Sequence, residues 1–336
     1  MRGRAMKRGG SGLSLVVALN KPSGMTSHDV VNRCRRIFGE RRVGHTGTLD
    51  PLATGVLPIC VGPATRLASY LTAHDKRYRT TIGFGYETDT DDIEGAATNR
   101  GEPTGDMLDG SFADAYIAGL VGKHSQVPPR YSAIKQGGKK AYELARAGAD
   151  VQLEPRVVEV YESCLIDRYE TEAGIRWVVD FSVSKGTYIR ALARDIGREL
   201  GCYAHVVALE RRQAGALGLQ DCVSLETLQD LGEQAALDPV RLLGYRIVFA
   251  DECEKAVANG NVMNAEKVSL YEIDEGRAAA GCCGCTGSVF ASAEEPREGE
   301  RFSVVVANKL KGIYVYDARR RAIKPECVFS TGVSRG

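Results

Sequence analysis

The stretch from Trp177 to Leu200 changes its hydrophobic period once, and that change fixes two elements and the chemistry at their junction. Trp177, Val179, Phe181 and Val183 alternate with more polar residues, the two-residue period of a strand with one buried face. From about Thr187 to Gly201 the period lengthens. Ile189, Leu192, Ala193, Ile196 and Leu200 form the buried side of a helix, and Arg190, Arg194 and Arg198, four apart, form a guanidinium stripe. Between the two elements, Ser184-Lys185-Gly186-Thr187-Tyr188-Ile189-Arg190 gathers backbone N–H groups, Lys185 and Arg190 into one small region. Such a junction suits an anion: a phosphate, or an aspartate whose pKa must be held low. The plainer reading is a solvated basic face.

The densest candidate for chemistry lies earlier, in Gly44-His45-Thr46-Gly47-Thr48-Leu49-Asp50-Pro51-Leu52-Ala53-Thr54-Gly55-Val56-Leu57. From Val43 to Gly55 no helical or strand period survives, so a structured loop is expected. Its glycines permit sharp turns or close approach to a ligand, and Pro51 biases Asp50 towards an extended backbone. Asp50 is a candidate nucleophile, general base or helix cap; an aspartate before proline is also a common turn starter. A helix upstream opens with Ser27 as the expected N-cap, buries Val30, Val31, Cys34 and Ile37, and closes at Gly39. Its other face carries Arg33, Arg35 and Arg36, with Arg41 and Arg42 just beyond. Arg77–Phe84 reads as a strand. Tyr78 stands there among Lys76, Arg77 and Arg79, the pattern of a stacked base beside a phosphate, or of ordinary strand packing. Gln126–Lys135 reads as a rigid loop with further cationic and aromatic groups, and residues 87–110 as an acidic, Gly-rich surface loop.

Composition narrows the function classes. The 336 residues are 43% hydrophobic and 26% charged, an ordinary globular balance whose length suggests two domains. The net charge of +1 hides an asymmetry: residues 1–212 carry 30 Lys and Arg against 25 Asp and Glu, and residues 213–336 carry 14 against 18. A polyanion would therefore meet the first part of the chain. Ten scattered cysteines read as reduced thiols of a cytoplasmic protein. No stretch approaches the roughly 18 apolar residues of a membrane span. Arg2, Arg4, Lys7 and Arg8 precede the apolar run Leu13–Leu19, which reads as a basic tail leading into a first strand rather than a signal peptide. No phosphate-binding Walker sequence is present, Gly83-Phe84-Gly85 does not complete a dinucleotide fingerprint, and Asp89–Gly95 fails the ligand pattern of a calcium loop. Cys282-Cys283-Gly284-Cys285 is the one metal-like cluster; without a second pair at zinc spacing it reads as free thiols, with Cys253 or Cys327 as conceivable further ligands.

Together these segments resemble the bacterial tRNA pseudouridine synthase B family, whose members modify uridine-55 in the T loop of tRNA. The resemblance rests on Lys21-Pro22-Ser23-Gly24-Met25-Thr26-Ser27, Gly44–Leu57, Lys76-Arg77-Tyr78, Thr88-Asp89-Thr90-Asp91, Gln126–Lys135, Ser184–Asp195 and Leu209-Glu210-Arg211-Arg212-Gln213-Ala214-Gly215, in that order. It implies an α+β fold: a pseudouridine synthase core with a mixed, largely antiparallel sheet flanked by helices, and a small β-rich C-terminal domain related to the PUA RNA-binding module. On this reading residues 1–12 are a basic extension, 13–245 the catalytic domain and 246–336 the C-terminal domain, with Arg319, Arg320 and Arg321 at a hairpin turn. The cysteine-rich segment and the basic extension depart from the family pattern.

The resemblance also implies roles. Asp50 corresponds to the essential nucleophile, Tyr78 to the tyrosine that stacks on the target base, and Arg190 to the arginine paired with the nucleophilic carboxylate. Tyr188 and Leu209 match further pocket positions, His45 matches the histidine that holds the T loop open, and Lys21 and Lys185 lie in matching motifs. Arg33, Arg35, Arg36, Arg41 and Arg42 then read as phosphate contacts, which position RNA without reading it. Arg190 is expected to lower the pKa of Asp50 and fix its orientation. Isomerising uridine breaks the N-glycosidic bond, turns the uracil and rejoins it through C5, which needs a base out of the stack but no cofactor and no metal. Attack of Asp50 at C1′, attack at uracil C6 and assistance to glycal formation all stay open. The implied partner is the T stem-loop of tRNA, with no membrane, no obligate protein partner and a monomeric enzyme. A binding protein with vestigial catalytic residues is the competing class, disfavoured by the intact Asp50, Tyr78 and Arg190; a methyltransferase fails for want of a nucleotide-binding loop.

Overall fold

The computed structural model describes residues 10–149, 151–273, 289–292 and 294–336. Residues 1–9 of the basic extension and the cluster Cys282, Cys283 and Cys285 lie outside them. The strands of the first part are β1 (Leu15–Lys21), β2 (Val43–His45), β3 (Thr54–Val61), β4 (Lys76–Phe84), β5 (Tyr86–Thr88), β6 (Ala97–Arg100), β7 (Gly122–Gln126), β8 (Lys135–Gln136), β9 (Lys139–Lys140), β10 (Arg156–Thr171), β11 (Gly174–Val183), β12 (Ala204–Ala214) and β13 (Leu217–Gly218). The main sheet runs in the order β1-β3-β12-β4-β11-β10-β7, with β2 on β3 and β13 on β12. Every pairing is antiparallel except β3 with β12, where Thr54 and Arg211 lie at the ends of a short parallel register, Glu210↔Thr54 and Arg211↔Gly55. A mixed, largely antiparallel sheet is what the resemblance implied.

The alternation read from Trp177 to Val183 holds: all four apolar residues are buried, and the Trp177 indole N–H donates to the Met107 carbonyl at 2.8 Å. Two helices, Ser27–Phe38 and Ile189–Glu199, cover that face and bury Val30, Val31, Cys34, Ile189, Leu192, Ala193 and Ile196 in the same core. The first helix starts one residue earlier than the sequence suggests. Thr26 is its N-cap, in a reciprocal capping box with Asp29, and Ser27 is released to bond Leu49 instead. The second starts at Ile189 with Tyr188 as N-cap, two residues late, because Gly186 turns the chain at φ +85°.

Two loop readings need correction. The segment 43–55 is not all loop, since Val43, Gly44 and His45 pair with Val61, Cys60 and Ile59. Nor are residues 87–110 a surface loop throughout: Tyr86–Thr88 and Ala97–Arg100 form a hairpin, and Glu87, Thr88, Asp91 and Asp92 are buried. Those acids are inside because the arginine helix faces them.

Beyond the main sheet, β14 (Arg246–Phe249), β15 (Met263–Asn264), β16 (Leu270–Ile273), β17 (Val289–Ala291), β18 (Arg301–Val306), β19 (Lys309–Asp317) and β20 (Ala322–Ser334) form a second sheet, in the order β15-β20-β19-β18-β14-β16-β17. The turn between β19 and β20 exposes Arg319, Arg320 and Arg321.

Gly55 shows how tightly the two motifs are joined. It holds φ +101°, and a Cβ there would lie 2.2 Å from the Arg211 carbonyl oxygen of the neighbouring strand. Strain and backbone overlap act together, so Gly55→Ala should destabilise the fold by about 3–5 kcal/mol, read as a fall in the urea midpoint. An unchanged midpoint would refute the close parallel pairing.

Candidate active site

Asp50 is clamped on both flanks by the Lys21–Ser27 segment. The Ser27 hydroxyl donates to the Leu49 carbonyl and accepts the Leu49 N–H, each at 2.9 Å. On the other side the Lys21 ammonium donates to the Pro51 carbonyl at 3.2 Å as well as to Pro22 at 2.8 Å and Met25 at 2.6 Å, and the Gly24 N–H donates to Pro51 at 2.9 Å. Lys21 is fully buried, and that burial pushes its ammonium down to about 8, although the Asp50 charge acts the other way. Arg211 ties the same segment to the sheet from behind: its guanidinium donates to the Val56 carbonyl at 2.8 Å and to the Gly47 carbonyl at 2.9 Å.

The Arg190 guanidinium meets Asp50 side-on, Nε to Oδ2 at 2.8 Å and Nη2 to Oδ1 at 3.1 Å. Its remaining N–H groups donate to the Thr90 carbonyl at 2.7 Å, the Asp92 carboxylate at 3.3 Å and the Tyr131 carbonyl at 2.9 Å. All five donors of a guanidinium are thereby engaged and its plane is fixed. The Arg190 side chain is 5% exposed, whereas that of Asp50 is 31% exposed, so the carboxylate is the accessible partner of the pair. Burial pushes the Asp50 carboxyl above its ordinary value; Arg190 pulls it down and Asp92 adds to the rise. Arg190 thus acts on Asp50 in the expected direction, and desolvation, the larger effect, leaves the carboxyl raised.

Of the rest of the arginine stripe, Arg194 is buried and Arg198 is exposed, and both are paired. Arg194 pairs with Asp91 at 3.1 Å and Asp195 at 2.9 Å and donates to the Val127 carbonyl at 2.9 Å; Arg198 pairs with Glu87 at 2.8 Å. Burial pushes Asp91 up to about 6 against the pull of Arg194. Sequence reasoning missed Asp91 and Asp92 as partners. The signal was available in the charge pattern: three arginines four apart require a matching set of acids, and Glu87, Asp91 and Asp92 supply it.

The other expected residues fall into two groups. Tyr188 joins the site: its backbone N–H donates to Gln126 Oε1 at 2.9 Å, its carbonyl accepts from Gln126 Nε2 at 3.1 Å, and the pKa of its half-buried phenol is raised, chiefly by burial, with the Asp50 charge adding to the rise. Tyr78 is half-buried on β4, opposite Phe181 of β11 and Arg211 of β12, and Leu209 stands opposite Thr80 on the same strand pair. His45 lies on β2 opposite Ile59. Lys185, Arg41 and Arg42 are exposed, and among the described residues no hydrogen bond or ion pair joins them to Asp50. Arg42 instead donates to Thr65 at 2.8 Å. Arg33, Arg35 and Arg36 line a surface depression of about 610 Å³ together with Met25, Asp29 and Asn32. Among the described residues no group of His, Cys, Asp and Glu could hold a metal ion, and no helix is long and apolar enough to cross a membrane.

An ionisable carboxylate, open to solvent on one side and locked by a guanidinium on the other, lies beside a sheet whose architecture has solved relatives. An H/ACA ribonucleoprotein bound to a substrate RNA containing 2′-deoxyuridine includes a chain 21% identical, with a TM-score of 0.63 over 95% of this chain and 85% of that one. A chain of a Cbf5-Nop10-Gar1 complex matches with a TM-score of 0.61 at 21% identity, over 97% and 86%. At that identity the likeness shows the fold alone. The model of the TruB family pseudouridylate synthase N-terminal domain matches residues 35–189, and that of the tRNA pseudouridylate synthase B C-terminal domain matches 190–242. The second match covers the arginine helix and β12, and the second sheet lies beyond it.

The class is thus that of RNA pseudouridylate synthases. The tRNA pseudouridine synthase B of Mycolicibacterium paratuberculosis is 43% identical over 300 residues, 87% of this chain and 96% of its own, and that of Bacillus cytotoxicus is 44% identical over 227 residues, 67% and 74%. The chain belongs to the tRNA pseudouridine synthase B family.

Proposed function

We propose that this enzyme converts uridine-55 in the T loop of tRNA to pseudouridine, with Asp50 as its catalytic carboxylate. The observation that carries the reading is the Asp50–Arg190 fork: two donors of a guanidinium whose other three are also engaged hold the carboxylate, while one side of it stays open to a base. The target uridine leaves the RNA stack to reach it. Tyr78 offers its ring face to the uracil, an interaction of about 1–3 kcal/mol in other base–aromatic stacks. Tyr188 and Leu209 complete the pocket, His45 holds the opened loop, and Lys21 fixes the backbone that presents Asp50. Arg33, Arg35, Arg36, Arg41, Arg42 and Lys185 contact phosphates. The domains divide at 245/246, and the enzyme acts as a cytoplasmic monomer.

Incubating an unmodified T stem-loop RNA with the enzyme and scoring pseudouridine tests this reading; a stem-loop that binds but stays unconverted rejects it. The arginine patch has its own test. Binding of that RNA should weaken steeply with salt, with a log–log slope of about −3 to −4 if four or five phosphates are neutralised. A flat response rejects the patch.

A further inference from the structure

A depression of about 590 Å³ lies away from Asp50, where the start of β4 meets the segment leading into β14. Its lining includes Tyr70, His74, Lys76, Arg77, Tyr161 and Tyr245. None of the residues placed in the catalytic pocket contributes to it. Strand alternation accounts for part of this. Tyr78 and Phe181 are register partners on the face that carries the catalytic pocket, whereas Arg77 and its register partners Ser182 and Gln213, which all line the depression, project from the opposite face. Lys76 shares the parity of Tyr78 and reaches the depression because it is the first residue of β4, so the depression lies at the end of the strand, beyond Tyr78.

Its chemistry matches one ligand class. Lys76 is buried, and its ammonium donates to the Thr72 carbonyl at 2.7 Å and to the His74 carbonyl, but among the described residues no carboxylate forms an ion pair with it. Burial pushes it down to about 8; the nearby charges of Arg211 and Lys185 act the same way and that of Asp75 acts against them. An arriving anion would relieve that desolvation. Arg77 adds a second cation at the rim, 53% exposed and bridged to Glu162 at 3.0 Å. Three tyrosines line it: Tyr161 is 41% exposed, and the Tyr70 ring carries the Arg301 guanidinium 5.9 Å from its centroid. Asp75 opposes an anion but lies beside the Tyr161 hydroxyl at 3.5 Å, where its carboxylate can accept from a ribose hydroxyl or a base amino group. The wall is preformed: Gly215, at φ +60°, lets the chain pass so close to His74 that a Cβ would lie 2.9 Å from the ring, and its N–H donates to the Asp75 carbonyl. Cations for a phosphate, with aromatic faces and polar acceptors alongside, are the groups that hold a single unstacked nucleotide.

We infer that this depression is a second RNA site, which takes a nucleotide of the substrate lying outside the stem-loop that carries the target uridine. The inference rests on the RNA-isomerase reading, and its test keeps the two apart. Native enzyme, Tyr161→Ala and Tyr161→Glu are compared on full-length unmodified tRNA and on the isolated T stem-loop, with kcat and KM from pseudouridine formation and Kd from filter binding. On full-length tRNA, KM and Kd should rise about 5- to 150-fold in both variants, the loss expected of one base–aromatic stack, with kcat unchanged. On the stem-loop both variants should match the native enzyme, which also shows that they fold. Equal effects on the two RNAs, or none on either, overturn the inference. A nucleoside monophosphate that binds the native chain and not Tyr161→Ala, with full-length tRNA unaffected, overturns the RNA source. Failure of the native enzyme to convert either RNA counts against the catalytic reading alone, and the Kd comparison still decides the second site.

Discussion

Asp50→Asn should lower pseudouridine formation by at least about 10⁴-fold, the scale on which loss of a nucleophile acts, while the T stem-loop binds as tightly as to the native enzyme. Asparagine fills the same space and still accepts from Arg190, so the clamp by Ser27 and Lys21 survives; only the anionic oxygen is lost. In free-energy terms that is about 5.5 kcal/mol of transition-state stabilisation from one charge. A pH profile provides the companion result. The ionised carboxylate is the reactive form, and burial raises its pKa, so kcat/KM should fall with acid at a pH above the ordinary aspartate value of about 3.9. An acid limb at or below that value would show that Arg190 outweighs burial. Retention of even one-tenth of native activity by Asp50→Asn would remove Asp50 from the chemistry.

The second large effect belongs to Arg190→Gln. Two buried or half-buried carboxylates and two carbonyls share this guanidinium, and its removal leaves Asp50 and Asp92 without their common counter-ion. Breaking a buried pair by removing one partner typically costs about 3–5 kcal/mol of stability, and loss of a fixed electrostatic group at the reacting atoms lowers kcat by a further factor of about 10²–10³. Denaturant unfolding and kcat should therefore fall together. Asp92→Asn separates the two, because it keeps the fork to Asp50 and removes the more distant contact at 3.3 Å. It should reduce kcat by less than Arg190→Gln and move the acid limb downwards, since Asp92 raises the Asp50 carboxyl. An acid limb unmoved in Asp92→Asn would disconnect it from the catalytic carboxylate.

The periodic parts of this fold were legible in the sequence. In Trp177–Val183 burial follows the two-residue period residue by residue; in the helix behind it the apolar positions are buried as read, but Arg190 and Arg194 of the polar stripe are buried as well. Asp50 and Arg190 were legible as members of motifs, but nothing in the chain order says that residues 140 apart share two hydrogen bonds. That contact depends on the parallel insertion of β3 beside β12, a long-range pairing with no local signal. Acidity misled in residues 87–110: the stretch is polar in composition, yet Asp91 and Asp92 are buried because Arg194 and Arg190 offset their desolvation. The second cavity was invisible for a similar reason, since Lys76, Tyr161 and Tyr245 come from three distant segments.

Position mapping tests the central claim most directly. Full-length unmodified tRNA is treated with native enzyme or with Asp50→Asn, and pseudouridine is located along the chain. The account predicts one new pseudouridine, at position 55, with the native enzyme and none with the variant; conversion at another position, or equal conversion by both proteins, would contradict it.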